Sequence, residues 1–508
     1  MLRMFALFLS FSIGFVSLGQ EMLWFRIVSY EFSGTPQSFS FVLTLYLLGI
    51  AAGAILGKNI CMKNDYSKIM FFGGVVLLIG GVLDLFVPYL VDMIMSKFSQ
   101  RMFVYVPLIF LTSCLKASMF PIAHHLGSSL KNEKKIGSSV SIVYCANIIG
   151  ATLGTIFFGL VVLAYITTYQ AFIYIGAFVS LLAVSMILAS QVQRVMGIVI
   201  ITASLAIIIM NIGYVNDPRY FKMNKNPNTT YSAENRHGVI DIRPTNGVEI
   251  IYGGNVYDGI MQVDPITDLN TLSRVLILDV VHPEPKRALV IGVSGGAWLR
   301  MLSSFPTLEI IDAIELNPGY VDAIAQYPDI APVLSDKRIT IHVDDGRRWL
   351  RRNSTEKYDL IVMNTTYHWR SGATNILSQE MMGLLSNSLN ENGIVALNST
   401  RLLDVLKTTN SVFPYSYWGE LGFIYSSHQN FLANRTPQTR EKLYNLHFDG
   451  KPIFKKGDPA SEYAIDRIMA MEMLDLKTIE SLSNRPLEII KDNNMINEYK
   501  YGLEFGFK

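Results

Sequence analysis

The chain has 508 residues, of which half are apolar, with a mean hydropathy of +0.31 and a formal net charge of +2. This length is sufficient for two or three domains. The nearly balanced charge gives no reason to expect a nucleic acid or an acidic polymer as partner.

The charged residues divide the chain into two parts. Residues 1–215 hold 18 of the 84 Asp, Glu, Lys and Arg side chains, and the other 293 residues hold the remaining 66. We therefore predict a transmembrane domain over residues 1–215, followed by a water-soluble part. The three cysteines (Cys61, Cys114 and Cys145) are far apart in the first part, so the pattern predicts neither a disulfide framework nor a metal site.

Seven apolar windows in the first part are long enough to span about 30 Å of hydrocarbon. They cover residues 4–24, 38–57, 69–91, 102–126, 138–164, 170–189 and 195–214. The first window resembles a signal peptide but lacks a small-residue cleavage site, so we expect it to be retained. The prediction is a multi-pass protein of the cell (inner) membrane, with the lipid bilayer as a partner.

Two features of these windows have both a packing and a functional interpretation. Glycines four residues apart, as at Gly49, Gly53 and Gly57, let helix backbones approach closely in lipid. Ionisable residues such as Asp84 and Lys116 are costly in a bilayer and are candidates for a transport pathway. Hydrogen bonding between neighbouring helices is the simpler interpretation of the polar residues.

The basic segments Lys58–Lys68 and Lys131–Lys135 are two spans apart, and the positive-inside rule places both in the cytoplasm. With seven spans, the amino terminus is then inside and the soluble part outside. A domain that uses a cytosolic nucleoside is expected inside. The sequence therefore leaves the side of the soluble part open.

The soluble part begins with a polar, asparagine-rich stretch, residues 216–236, which we interpret as a linker. Residues 237–268 contain short alternating runs such as Val239–Pro244 and Val248–Gly254, separated by turn residues, and predict a small β-hairpin subdomain. A helix predicted over Leu269–Val281 opens the next domain, residues 269–434.

That domain begins with a short apolar run, Ala288–Ile291, which meets a glycine turn at Gly292, Gly295 and Gly296. A segment with helical spacing and a second apolar run ending at Glu315 follow. This is the pattern of the first βαβ unit of a nucleotide-binding sheet, in which glycines let the backbone approach a ligand and a carboxylate about 20 residues later meets ribose hydroxyls.

Strands and helices continue to alternate, which predicts an α/β domain with a mainly parallel sheet and helices on both faces. The predicted elements are strands Ile339–Val343 and Tyr358–Met363, a helix Ser378–Leu389, a strand Gly393–Leu397, and closing strands Trp418–Ser427 and Asn430–Ala433. Ligands bind at the carboxyl ends of such strands. Gly292–Gly296, Glu315, Asp345 and Asn364–Trp369 fall at those ends and predict a small-molecule site. The C-terminal extension, residues 435–508, is charged, with a helix predicted over Ser461–Leu474.

The order of these motifs resembles the spermidine synthases, the polyamine aminopropyltransferases. The run HPEPKRALVIG, from His282 to Gly292, is similar to the segment before that family's glycine loop, and the later strand ends follow in the family's order. The resemblance covers about residues 238–434. The runs GFVSLGQEMLWFRIVS and YCANIIGATLG resemble spans of the membrane-fused branch of the family.

The resemblance implies a Rossmann-like fold of the class I methyltransferase and spermidine synthase type, with S-adenosylmethionine or its decarboxylated form as a substrate and no metal. Glu315 matches the acidic residue that binds the ribose, and Asp345 with Gly346 matches the pair at the adenine amino group. Dimers are usual in the family, so a homodimer is one expected assembly. The residues expected to hold the nucleoside are Gly292, Ser294, Gly295, Gly296, Glu315, Asp345, Gly346 and Asn364.

The acceptor half departs from the family's pattern. Gly295 stands where the family's loop keeps an Asp, and Asn364–His368 (NTTYH) stands where the family's Asp-Ser-Ser-Asp-Pro carries the catalytic base. The family's Tyr-His-Glu triplet is also missing, and Leu272–Arg274 (LSR) lies in that region. A polyamine, with amine pKa values of about 10, calls for several carboxylates, and its attack calls for a base. We therefore expect a small-molecule acceptor other than putrescine.

Tyr367 and His368 are the candidate catalytic residues in this half. The unperturbed histidine pKa of about 6.5 suits proton transfer, although a loop histidine bonded to backbone is an equal alternative. For Trp369, packing is the expected role. The run Thr365–Arg370 offers an aromatic wall and a cation, which suit an anionic or neutral acceptor.

The first functional hypothesis is a membrane-bound, spermidine synthase-like transferase in polyamine metabolism with an altered acceptor. An S-adenosylmethionine-dependent methyltransferase is the nearest alternative, because one fold serves both chemistries. A second class of protein is a membrane transporter or sensor whose soluble domain is a degenerate nucleoside-binding module.

Overall fold

The computed structural model describes residues 2–95, 102–128, 136–190, 222–224 and 226–502. The first part is helical, with α1 Leu2–Glu31, α2 Gln37–Lys63, α3 Tyr66–Met95, α4 Met102–Ala117, α5 Met119–Ser128, α6 Ile136–Ile156, α7 Leu163–Tyr165 and α8 Thr168–Ser190. A π-helical segment, Phe157–Val162, joins α6 to α7. Within the described residues, six spans formed by these helices are long and apolar enough to cross a membrane, as expected of a multi-pass membrane protein. The seventh predicted span, 195–214, lies outside the described residues.

The glycines in these helices lie where two backbones touch. A Cβ on Gly150 would lie 2.0 Å from a main-chain oxygen of α1, and one on Gly53 would lie 2.2 Å from a main-chain oxygen of α4. No side chain fits at such distances. The structure thus supports close helix packing as the reason for the four-residue glycine spacing.

The polar residues of the helices contact one another. Lys116 Nζ lies 2.6 Å from Asp84 Oδ2, both side chains are fully buried, and Gln20 donates to the other oxygen of Asp84. Asn147 Nδ2 donates to the carbonyl oxygen of Ser10 at 2.9 Å. Each of these groups has an interhelical partner, which agrees with the packing interpretation.

The soluble part begins with an antiparallel four-stranded sheet in the order β1-β2-β3-β4. The strands are β1 Tyr231–Asn235, β2 Gly238–Thr245, β3 Val248–Gly253 and β4 Val256–Ile260. The predicted linker is therefore wrong over residues 231–235, which pair with β2. The polar composition of β1 concealed the strand, because Glu234 points to the membrane helices and accepts from the Thr168 backbone at 2.7 Å.

The second sheet has eight strands in the order β14-β10-β11-β9-β8-β5-β6-β7. Its strands are β5 Arg287–Ile291, β6 Ile310–Glu315, β7 Ile339–Val343, β8 Tyr358–Met363, β9 Leu389–Asn398, β10 Tyr415–Trp418, β11 Phe423–Ser427 and β14 Leu474–Asp475. The helices between β4 and β10 are α9 Ser273–Val281, α10 Ala297–Ser303, α11 Pro318–Ile324, α12 Gly346–Arg352, α13 Thr374–Leu377, α14 Gln379–Asn387 and α15 Asp404–Asn410. Strands β5 to β9 are parallel, as predicted.

Two predictions at the end of this domain are wrong. Trp418–Ser427 is not one strand, because Gly419 and Gly422 form a turn between the antiparallel strands β10 and β11. Asn430–Ala433 is not a strand either, since Phe431–Asn434 is a short 3₁₀ helix that buries Phe431 in the core. A run of three apolar residues is too short to distinguish a strand from a buried turn.

The C-terminal extension packs against the same domain. Its elements are α16 Arg440–Tyr444, β12 His447–Phe448, β13 Lys451–Pro452, α17 Pro459–Met469, α18 Leu476–Leu482 and α19 Ile496–Tyr499. The predicted helix over Ser461–Leu474 ends at Met469, and Leu474 instead begins β14, which pairs with β10 at the edge of the sheet. The extension is thus part of the α/β domain.

The soluble part contacts one end of the helical part. Arg26 Nε lies 3.4 Å from Glu234 Oε1, and the Tyr30 hydroxyl donates to Asp241 Oδ2 at 2.8 Å. Helix α2 begins at this end, and its 27 residues carry the chain about 40 Å away to Lys63. The basic connection between α2 and α3 therefore lies at the end of the helices opposite to the soluble part.

Candidate functional site

Two adjoining cavities, of about 80 and 480 Å³, lie at the carboxyl ends of β5, β8 and β9. The chain reverses its order across the sheet here, with β6 on one side of β5 and β8 on the other, which is where ligands enter such folds. Both cavities are lined by Tyr257, Asp258, Thr271, Arg274, Asn364 and Asn398. The inner cavity is bounded by the glycine loop, and the outer cavity by Tyr367, Trp369, Thr400 and Arg401.

The glycine loop follows β5 and requires left-handed backbone at Gly292, with φ +82°, and at Gly296, with φ +79°. A Cβ on Gly292 would lie 2.4 Å from the carbonyl oxygen of Asn364, so only glycine allows β5 and β8 to end this close together. Ser294 is also left-handed, with φ 50°, and its hydroxyl donates to the carbonyl oxygen of Asp258 at 2.7 Å. The loop is thereby held against the four-stranded sheet. Ser294, Gly295 and Gly296 line the inner cavity.

Glu315 lies beneath this loop and does not line either cavity. One carboxylate oxygen accepts from the backbone N–H groups of Val293 and Ser294 at 2.8 and 3.2 Å, and the other accepts from Asn317 N at 2.9 Å. Burial outweighs these hydrogen bonds and raises the pKa of Glu315 to about 7. A carboxylate offers about four acceptor positions, and backbone N–H groups of the loop and of Asn317 occupy three of them.

Asp345 and Gly346 follow β7, as predicted, but they lie outside the residues that line the two cavities. Asp345 Oδ1 accepts from Arg348 N at 2.8 Å and caps α12. A Cβ on Gly346 would lie 2.4 Å from a side-chain carbon of Ile291, which brings α12 against β5.

The two candidate catalytic residues point in different directions. Tyr367 lines the outer cavity with its ring centroid 4.2 Å from that of Trp369, and burial raises the pKa of its hydroxyl, which keeps it neutral near pH 7. His368 lies against Thr400, with Nδ1 2.8 Å from the threonine hydroxyl, and does not line either cavity. Burial lowers the pKa of His368. This placement agrees with the alternative of a loop histidine.

Two charged residues of the site were not selected by the sequence reasoning. Asp258 lines both cavities, its carboxylate accepts from the Tyr320 hydroxyl, and desolvation raises its pKa against the effect of Arg370. Arg274 lies in the first turn of α9, a mainly apolar helix, and also lines both cavities. In each case the available signal was a charge within an apolar strand or helix. The site therefore combines a carboxylate with cations, because Arg401 lines the outer cavity as well.

Comparison with known proteins agrees with the resemblance that the sequence motifs indicate. Residues 277–412 match the family model described as the spermine/spermidine synthase domain. The chain is 36% identical over 116 residues to a polyamine aminopropyltransferase of Streptococcus pneumoniae and 35% identical over 116 residues to one of Agathobacter rectalis. Each match covers 23% of this chain and 40% of the relative, so the chain spans about two fifths of the length of these relatives.

Solved structures of spermidine synthases are also similar to the chain. One is a complex with the transition state analogue AdoDATO, with 16% identity and a TM-score of 0.41. The enzyme from Thermotoga maritima has 15% identity and a TM-score of 0.40, and both comparisons cover 50% of this chain and 87% of the other. From the family match over residues 277–412, the second part of the chain contains a spermine/spermidine synthase domain behind its apolar helices.

Proposed function

We propose that this protein is a membrane-bound transferase that binds an adenosyl-sulfonium nucleoside and transfers its aminopropyl-type chain to an acceptor other than putrescine. The observation that carries the proposal is the pair of adjoining cavities at the strand ends, of which one is bounded by the glycine loop and the other by Tyr367. Residues 277–412, which match the spermine/spermidine synthase domain, provide the glycine loop and the strand ends of this site, and this match supports the transferase over the methyltransferase and transporter hypotheses.

In the proposed reaction, a nucleophilic atom of the acceptor attacks the carbon next to the sulfonium. The new bond forms as the carbon–sulfur bond breaks, and sulfur takes the electron pair and leaves as the neutral thioether, methylthioadenosine when the donor is decarboxylated S-adenosylmethionine. The positive charge moves to the attacking atom, which then releases a proton. The protein contributes mainly by holding the two reactants in line.

We propose that Asp258 is the base that accepts the proton released by the attacking atom of the acceptor. Asp258 lines both cavities, so this residue borders the donor side at the glycine loop and the acceptor side at Tyr367. Its raised pKa brings it closer to neutral pH than an exposed aspartate, which favours proton transfer. Tyr367 remains a neutral hydroxyl and is placed to orient the acceptor by hydrogen bonding.

The altered acceptor follows from the charges of the outer cavity. A polycationic amine binds best among carboxylates, yet Asp258 is the only acidic residue among the described residues that line this cavity, and Arg274 and Arg401 are cationic. Two cations near one carboxylate disfavour a diamine by like-charge repulsion.

Calorimetry on the full-length protein in lipid nanodiscs tests the nucleoside site with methylthioadenosine, decarboxylated S-adenosylmethionine and S-adenosylmethionine. We expect binding of at least one, and absence of binding to all three would refute the proposal.

Asp258→Asn should preserve nucleoside binding and lower turnover by about 10²-fold or more, the usual range for loss of a general base. Asp322→Asn, at an exposed position of α11, is the control. Efficient spermidine formation from putrescine would contradict the altered acceptor.

A further inference from the structure

Arg274 is a buried cation whose guanidinium has no hydrogen-bond or ion-pair partner among the residues that the structure describes. Only 6% of the residue is exposed, yet it lines both cavities. Among the described residues, its guanidinium donates no hydrogen bond, its Nε is buried and unsatisfied, and no carboxylate oxygen lies within 4.0 Å. A guanidinium carries five N–H donors, and a buried charge without an ion-pair partner is unfavourable. A ligand that enters the cavity and carries an anionic group would supply the missing partner.

The acidic residues nearest to Arg274 are already occupied. Glu420 accepts from the Ser273 hydroxyl at 3.0 Å, and Asp268 pairs with Arg467 at 2.7 Å and caps the start of α9. The local contacts of Arg274 instead fix its position. The Tyr425 hydroxyl donates to its carbonyl oxygen at 2.9 Å, and its guanidinium carbon lies 5.5 Å from the centre of the Phe423 ring.

These contacts hold the cation at the cavity wall without neutralising it. Burial lowers the pKa of Arg274, but arginine remains protonated at neutral pH. Its planar guanidinium matches a carboxylate in a bidentate pair, which is stronger than neutral hydrogen bonds. Asp258 lines the same two cavities and provides the opposite charge for an amine.

We infer that Arg274 binds the carboxylate of an amino-acid-type ligand, whose amine lies toward Asp258. The inference rests on the proposed function, because it names the ligand class of that same cavity. The carboxylate has two sources: the methionine end of intact S-adenosylmethionine, or the acceptor. Two pairs of compounds that differ only by a carboxylate separate these sources.

The donor pair is S-adenosylmethionine and its decarboxylated form, compared by calorimetry on the full-length protein in nanodiscs. The acceptor pair is L-ornithine and putrescine, compared by methylthioadenosine release from decarboxylated S-adenosylmethionine. We expect the wild-type protein to prefer the carboxylated member of one pair by tenfold or more. A preference in the donor pair identifies the donor as the source, and a preference in the acceptor pair identifies the acceptor.

Arg274→Gln should abolish that preference, and Arg274→Lys should retain part of it. Arg351→Gln is the matched control, because Arg351 is exposed on α12, lines neither cavity and should leave the preference within about twofold. Methylthioadenosine has neither the carboxylate nor the amine, so unchanged binding of this compound shows that each variant is folded.

Two results would overturn the inference: a wild-type protein that prefers neither carboxylated compound, or Arg274→Gln protein that keeps the preference. Failure of methylthioadenosine to bind the wild-type protein counts against the nucleoside site itself. Loss of the carboxylate preference with intact methylthioadenosine binding is specific to Arg274. The two proposals therefore fail in different measurements.

Discussion

Glu315 should make the stability of the soluble part depend on pH in a defined direction. Burial raises its pKa from 4.5 to about 7, so between these values the folded protein keeps a proton that the unfolded chain has released. The free energy of unfolding then decreases as the pH rises. The contribution is fully present below pH 4.5 and is lost as the pH rises through about 7. At about 1.4 kcal/mol for each unit between the two pKa values, the full loss is about 3 kcal/mol.

Urea denaturation of the full-length protein in detergent micelles, followed by tryptophan fluorescence, measures this effect. Four of the five tryptophans lie in the soluble part, so the signal reports mainly on that part. The Glu315→Gln variant has no titrating group at position 315. Its free energy of unfolding should therefore decrease less than that of the wild-type protein between pH 5 and pH 8. We expect the wild-type protein to lose about 2–3 kcal/mol relative to the variant over this range.

Glu391→Gln is the control. Glu391 is exposed near the start of β9, so the free energy of unfolding of this variant should depend on pH as that of the wild-type protein does. If wild-type and Glu315→Gln proteins have parallel pH profiles, the carboxylate is ionised normally beneath the loop. That result would refute the reasoning that desolvation outweighs the three backbone hydrogen bonds.

Two further predictions concern the glycine loop and the membrane. Gly292→Ala should weaken methylthioadenosine binding tenfold or more and destabilise the fold by more than about 1–2 kcal/mol, because its φ is left-handed and its Cβ would meet the Asn364 carbonyl oxygen. Gly383→Ala is its control, since a Cβ there meets nothing within 4 Å in helix α14; equal effects of the two changes would contradict the packing argument. Membrane-impermeant maleimide on intact cells should label Lys477→Cys but not Lys63→Cys, in a background without the native cysteines, because the basic end of the helices is expected inside. The reverse labelling would place the soluble part in the cytoplasm, as the use of a cytosolic nucleoside requires, and would show that the basic end of the helices does not follow the positive-inside rule.

The sequence was sufficient to predict the elements with strong periodicity. The first six spans and the parallel strands β5 to β9 follow from long apolar runs and their alternation with helices. β1 was missed because its polar side chains contact the membrane helices, as Glu234 does, and such long-range contacts leave no local pattern. The boundary between β10 and β11 was missed because the turn, which includes the glycines at residues 419 and 422, is short and lies between two segments rich in aromatic residues.

The candidate site was predictable only in part. The sequence located Ser294–Gly296, Asn364 and Tyr367, which line the cavities, because strand ends in a parallel sheet must converge. It did not locate Asp258 or Arg274, which come from the four-stranded sheet and the helix after it. Their approach to the strand ends depends on how the two sheets pack, and this packing cannot be inferred from the periodicity of either segment.

The loop that contains Tyr367 and borders the outer cavity forms hydrogen bonds with both the helical part and the soluble part of the chain. Immediately after Arg370, Ser371 N donates at 2.8 Å to the carbonyl oxygen of Gly34, in the connection between α1 and α2. Arg370 itself donates to the Gly253 carbonyl oxygen at 3.1 Å, and Gly372 N donates at 3.0 Å to buried Glu498 of the extension. The position of this loop is thus set jointly by the membrane helices, the four-stranded sheet and the C-terminal extension. Because Tyr367 lies on the same loop, a shift of α1 relative to α2 would change the wall of the cavity, which gives the helical part a structural role in the site.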